Sequence, residues 1–126
     1  MDNNAGNSYE QFIAKITAET KEGIIRWNID SQNYPFISGS SLLIKQFTCS
    51  LGEFDLLLAN LKDQIEVDGY NMPYEETRII VVVIKDGIPA QFIDKRSVNE
   101  EFLWKLDACV TQSTTQVQAF ISSYIR

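Results

Sequence analysis

Residues 77–93, Thr-Arg-Ile-Ile-Val-Val-Val-Ile-Lys-Asp-Gly-Ile-Pro-Ala-Gln-Phe-Ile, leave the chain few ways to fold. A run of β-branched residues enters the pair Asp86-Gly87, and an apolar stretch returns from it. This is the pattern of a β-hairpin closed by a two-residue turn. Residues 79–84 are apolar at every position. A strand wetted on one face alternates, so this run predicts a central strand covered on both faces. Helices, a second copy of the chain or another protein could supply the second cover.

The other long signal is a helix over residues 98–125. Phe102, Leu103, Leu106, Cys109, Val110, Val117, Phe120, Ile121 and Tyr124 hold one stripe along it. Ser97 and Glu100 have the spacing of a capping box. Ser113, Thr114 and Thr115 are poor helix formers whose hydroxyls compete for the backbone, so a kink or break is expected there. Residues 9–21 read as a first helix with its stripe on Tyr9, Phe12, Ile13 and Ile16, Ser8 as N-cap and Gly23 as C-cap. Ile25, Trp27 and Ile29 then alternate along a strand over 24–30. A polar loop over 31–41 leads to a strand over 42–49, whose change of apolar phase suits a bulge near Lys45-Gln46.

Residues 53–66 fit two templates. Phe54, Leu57, Leu58, Leu61 and Ile65 lie at helical spacing behind a Ser50–Glu53 capping box, in a composition rich in helix formers. Phe54, Leu56 and Leu58 also alternate as in a strand, with residues 50–52 as a turn. The helix is the preferred reading. Residues 68–76 read as an exposed loop. The expected fold is α+β: an antiparallel sheet of four to five strands, with an N-terminal helix, a middle helix and a long C-terminal helix packed on it.

A chain of 126 residues makes one domain, here 9–126, behind a polar tail over 1–8. That tail shows neither the basic nor the apolar region of a secretory signal. No run approaches the ~18 apolar residues of a membrane span. Cys49 and Cys109 lie far apart in apolar contexts and read as two free buried thiols, which points to the cytoplasm.

The net charge of −6 argues against nucleic acid. Glu53, Asp55, Asp63, Glu66, Asp68, Glu75 and Glu76 stand in one segment with a single base, Lys62, and this segment accounts for the whole net charge. It reads either as a solvated face or as a docking surface for a basic partner. With no histidine, Ser-His and Cys-His nucleophile pairs are excluded, and two isolated cysteines make no structural zinc site. No phosphate-binding glycine motif is present. Residues 64–75 have a degraded calcium-loop spacing, with Gln64 at the first position and Pro73 inside. That motif also requires helices on both sides. No metal and no cofactor are expected.

Three stretches carry a resemblance: residues 12–27, a helix closing on Gly23 before a strand holding Trp27; residues 82–87, a strand entering the Asp-Gly turn; and residues 102–125, a helix with a polar break. Together they resemble a group of small uncharacterised bacterial and phage-borne α+β proteins. That resemblance implies a fold and no activity. A looser likeness is to type III secretion chaperones, small acidic proteins without catalytic groups that alternate helices and strands in a similar order, the helix over 53–66 included, and act as dimers holding a partner chain.

The function expected is a non-catalytic protein-binding module of the chaperone, immunity or inhibitor type. Its expected contact residues are Asp55, Asp63, Glu66, Asp68, Glu75 and Glu76, with Tyr70 and Tyr74 as aromatics among them. A homodimer is one form it could take. The alternative is a small-ligand-binding domain, with a pocket between the long helix and the sheet lined by Trp27, Trp104 and Tyr124.

Overall fold

The fold is taken from a computed structural model, which describes residues 7–37, 42–65 and 74–125. Its elements are α1 (Ser8–Lys21), β1 (Asn28–Ile29), β2 (Leu42–Leu51), β3 (Phe54–Ile65), β4 (Tyr74–Lys85), β5 (Ile88–Ile93) and α2 (Glu100–Tyr124). The strands form one antiparallel sheet in the order β1-β2-β3-β4-β5. The α+β arrangement with an N-terminal and a long C-terminal helix is as expected, with a strand replacing the middle helix.

The hairpin of 77–93 is present and begins three residues earlier. Asp86 (φ 53°) and Gly87 (φ 79°) both lie in the left-handed region, as a type I′ turn demands. Pro89 is tolerated because β5 is an edge strand. Residues 79–82 and Ile84 of β4 are buried, so this strand is covered on both faces.

The expected middle helix is instead β3, which pairs with β2 and β4 along its length. Gly52, with φ 63°, opens a two-residue turn where a capping box was expected. Leu56, Leu57, Leu58 and Ala59 are all buried. Like residues 79–84, they are apolar at successive positions, the signature of a strand covered on both faces. Packing between two layers overrides the helical composition. The N-terminal part of the expected 68–76 loop lies outside the described residues, while Tyr74, Glu75 and Glu76 belong to β4.

The strand expected over 24–30 shrinks to Asn28–Ile29. The N–H groups of Ile24 and Ile25 both donate to Glu19 O, so this stretch stays tied to the end of α1 and cannot enter a ladder. Ile25 and Trp27 are nevertheless core residues, and Trp27 Nε1 donates to Thr20 Oγ1 at 2.9 Å. The bulge in β2 falls between Leu43 and Lys45, next to its expected place.

Both helices lie on one face of the sheet. Ile13 and Ile16 of α1 and Leu103, Leu106 and Val110 of α2 join Phe47, Leu58, Ile79 and Val81 in one core. The opposite face carries Leu57, Ala59, Leu61, Ile80, Val82 and Ile84, and here Tyr34, Phe36 and Ile37 provide cover. This strap is held by Gln46 Nε2, which donates to Gln32 O at 2.9 Å, and by Tyr34, whose hydroxyl donates to Asp30 Oδ2 at 2.6 Å. Neither a second copy nor a partner is needed to cover the sheet, and the loop, rather than the helices, covers its second face.

Three cap positions differ from expectation. Asn7, not Ser8, caps α1 in a capping box with Glu10, so residues 7 and 8 belong to the domain. Glu22 is the C-cap, and Gly23 follows it with φ 80°. Asn99, not Ser97, caps α2. The two starts are joined: Asn99 N donates to Glu10 Oε2 at 2.9 Å and Asn7 Nδ2 to Ser97 O at 2.8 Å. The break expected near Ser113 is absent. Thr114 Oγ1 donates to Val110 O at 3.0 Å, a bond within the helix, and α2 runs unbroken.

Candidate functional site

The acidic residues that are described do not form one surface. Asp63 faces Glu76 across the β3–β4 ladder, and Gln64 faces Glu75. Asp55 faces Ile84 near the other end of the same ladder, roughly 26 Å away at ~3.3 Å per residue. Glu66, Asp68 and Tyr70 lie outside the described residues. Bases meet Asp63, Glu75 and Glu76. Arg78 Nε donates to Asp63 Oδ2 at 2.7 Å, Lys62 stands 3.2 Å from Glu75, and Lys95 stands 3.0 Å from Glu76. The hydrogen bond to Glu76 holds the Lys95 ammonium above its usual value. Ser50 Oγ donates to Asp55 at 2.9 Å. Residues that look uniformly acidic along the chain are therefore interleaved with cations by strand pairing.

The three aromatics proposed to line a ligand pocket do not converge. Trp27 is in the core. Trp104 lies against a small cleft of about 210 Å³ beside Asp63, Arg78 and Arg96. Tyr124 is exposed near the end of α2. Between the first half of α2 and the sheet, Leu103, Leu106 and Val110 fill the space. Residues 64 and 75 lie within β3 and β4, so the calcium-loop spacing lacks its flanking helices, and residues 66–73 of it lie outside the described residues. Among the described residues no group of three or more Cys, Asp or Glu side chains could hold a metal ion. No helix among them is long and apolar enough to cross a membrane.

Neither thiol is poised as a nucleophile. Burial, then the nearby charge of Asp55, pushes Cys49 up to about 12, and burial also raises Cys109. The two cysteines are free.

The feature that stands out is the second half of α2. The stripe that is core at Leu103, Leu106 and Val110 continues at Val117, Phe120, Ile121, Tyr124 and Ile125, where the side chains are 51–79% exposed. These residues share the face of Val110 by the 3.6-residue period, but from Val117 on that face is exposed. Phe120 and Tyr124 rest on each other with ring centroids 5.8 Å apart. Beside this ridge a groove of about 880 Å³ separates α2 from residues 23–29, with Trp27 and Ile29 on one wall and Thr114 and Phe120 on the other. Its continuation past Ile29 reaches Lys45, Thr111 and Gln118. The stripe was legible in the sequence. The point at which it becomes exposed was not.

A second concavity, of about 450 Å³, opens at the other end of the domain between α1 and β3–β5. Tyr9, Phe12, Phe54, Leu56, Val83 and Ile93 line it.

No family model, curated protein or solved structure matches the chain.

Proposed function

We propose that this chain is a non-catalytic protein-binding module that docks a partner on the second half of α2. The observation that carries this reading is the stripe continuing from Val110 to Tyr124 without a covering layer. Contiguous exposed apolar surface of this kind is a mark of interaction sites. The absence of histidine and the raised thiols support a non-catalytic role. Asp63, Glu75 and Glu76 already hold bases, so the acidic end is a weaker candidate for the docking face than the apolar ridge. The bacterial or phage origin and the chaperone, immunity or inhibitor role stay part of this proposal. The likeness to type III secretion chaperones rested in part on a middle helix and loses that support. A cytoplasmic home fits the two free thiols.

A selection of displayed peptides against the purified chain tests the docking face. Peptides with an apolar stripe should be enriched and should lose binding to the Phe120→Glu/Tyr124→Glu variant. Ligands that bind wild type and variant alike would place recognition elsewhere. A second reading, a small apolar ligand, is favoured by the 450 Å³ concavity at α1, which falls in the size range of ligand sites. An aliphatic or aromatic probe that raises the melting temperature of wild type, and not of Phe12→Asp, would support it.

A further inference from the structure

We infer that the occupant of the α2 ridge is a second copy of this chain, paired two-fold through the second halves of two antiparallel α2 helices. The inference rests on the reading of that ridge as a docking face, and three observations select the partner.

The first is charge. Residues 108–125 carry no ionisable acid or base except Cys109 and Tyr124, in a molecule of net charge −6. Two such molecules repel wherever their acids meet, and they can approach closely where charge is absent. Of the residues lining the 880 Å³ groove only Arg26 is charged, so a partner chosen by opposite charge finds a single group to pair with there. An anionic lipid surface is equally unfavoured, because the stretch offers it no Lys or Arg.

The second is shape. Ridge and groove lie side by side on the same helix: Phe120 and Ile121 form the ridge and also wall the 880 Å³ groove. A two-fold contact needs one patch that is its own complement. Turning a second copy about an axis across α2 lays each ridge along the other's groove.

The third is area. Val117, Phe120, Ile121, Tyr124 and Ile125, each more than half exposed, together offer on the order of 600 Å², the top of the range for an ordinary monomer's largest patch. Adding Ile29 and the polar groove walls brings the face to roughly 800 Å², one partner's share of a standard interface.

Light scattering across a concentration series reaching ~0.1 mM, where a micromolar dimer is saturated, tests the inference. Wild type should approach twice the 14.4 kDa of one chain. The Phe120→Glu/Tyr124→Glu variant should stay at the single-chain mass with an unchanged circular dichroism spectrum. Separately, Val117→Cys, Ile121→Cys and Tyr124→Cys walk along the face. At least one should cross-link to its own copy with oxidised glutathione, above the level set by the wild-type thiols. A wild type that stays single-chain throughout, a variant that still dimerises, or a cysteine series that never cross-links would each overturn the second copy. So would a single-chain protein that sediments with phosphatidylcholine vesicles. A single-chain protein that still selects peptides on this face would overturn the dimer and keep the docking face. Loss of both would overturn both.

Discussion

Lys45 Nζ stands 3.2 Å from Asp107 Oδ2 and donates to Thr111 Oγ1 at 2.7 Å, tying the bulged part of β2 to the middle of α2. The Asp107 side chain is 8% exposed and its Oδ1 has no partner among the described residues, whereas the Lys45 side chain is 32% exposed. Removing the cation strands a buried carboxylate. Lys45→Met should therefore destabilise the domain by about 3 kcal/mol, the lower end of the range for a broken buried pair because water reaches Lys45. Lys45→Met/Asp107→Leu should recover most of that loss in urea unfolding. A double variant no more stable than the single would show that the pair is not the cause. Asp94 gives a pH-dependent case. Burial raises its carboxyl, but hydrogen bonds and charge from Arg96 outweigh burial and hold it below the ordinary value of 3.8. A carboxyl depressed on folding stabilises above its unfolded pKa, and the gain disappears as pH falls through the folded value. The stability gap between wild type and Arg96→Ala should be constant above about pH 5 and close below about pH 4. A gap independent of pH would assign the effect to something other than this pair. Neither pair was legible in the sequence, because each depends on which strand face or turn brings the groups together.

At the scale of elements, β3 shows where sequence periodicity misleads. Phe54, Leu57, Leu58, Leu61 and Ile65 fall at helical spacing, but Leu57 and Leu58 belong to the apolar run 56–59, and any period can be drawn through an unbroken run. Leu56 separates the two templates, since it lies off the helical stripe and is buried in β3. Leu56→Ala should cost about 3 kcal/mol, as for other buried leucines. A helix with Leu56 on its wet side would lose almost nothing, so a near-neutral variant in thermal unfolding would contradict the strand. The 77–93 hairpin was legible down to its turn, because Asp-Gly restricts the backbone whatever surrounds it. The same holds for the buried faces of α1 and the first half of α2. The continuity of α2 through residues 113–115 was not, since hydroxyls that bond back to their own helix look the same in sequence as hydroxyls that end one. The acidic segment was legible as a composition. It dissolves as a surface because Arg78 and Lys95 arrive from other parts of the chain.

For the molecule as a whole, β2 to β5 pair each strand with its neighbour in sequence, so the sheet can assemble from short closures. The helices are different. Their starts meet through Glu10, which accepts from both Asn7 N and Asn99 N, and through Asn7, whose side chain reaches Ser97. These contacts join residues 89 and 90 positions apart. Closing a flexible loop of that length costs about 4 kcal/mol, a cost that falls once the sheet has drawn the ends together. The helices are thus expected to clasp late, after the climb to the transition state. Asn7→Ala removes a cap and a strut from the clasp, at about 1 kcal/mol. It should speed unfolding roughly fivefold and leave the folding rate unchanged, which stopped-flow chevrons would register. A slowed folding limb would mean that the clasp belongs to the nucleus. The lifetime of the native state is then governed by a joint at the opposite end of α2 from the ridge. A chain that has lost its grip at Glu10 would open more often at the starts of its helices, while Ile13, Ile16, Leu103 and Leu106 still hold them, and the ridge with them, on the sheet.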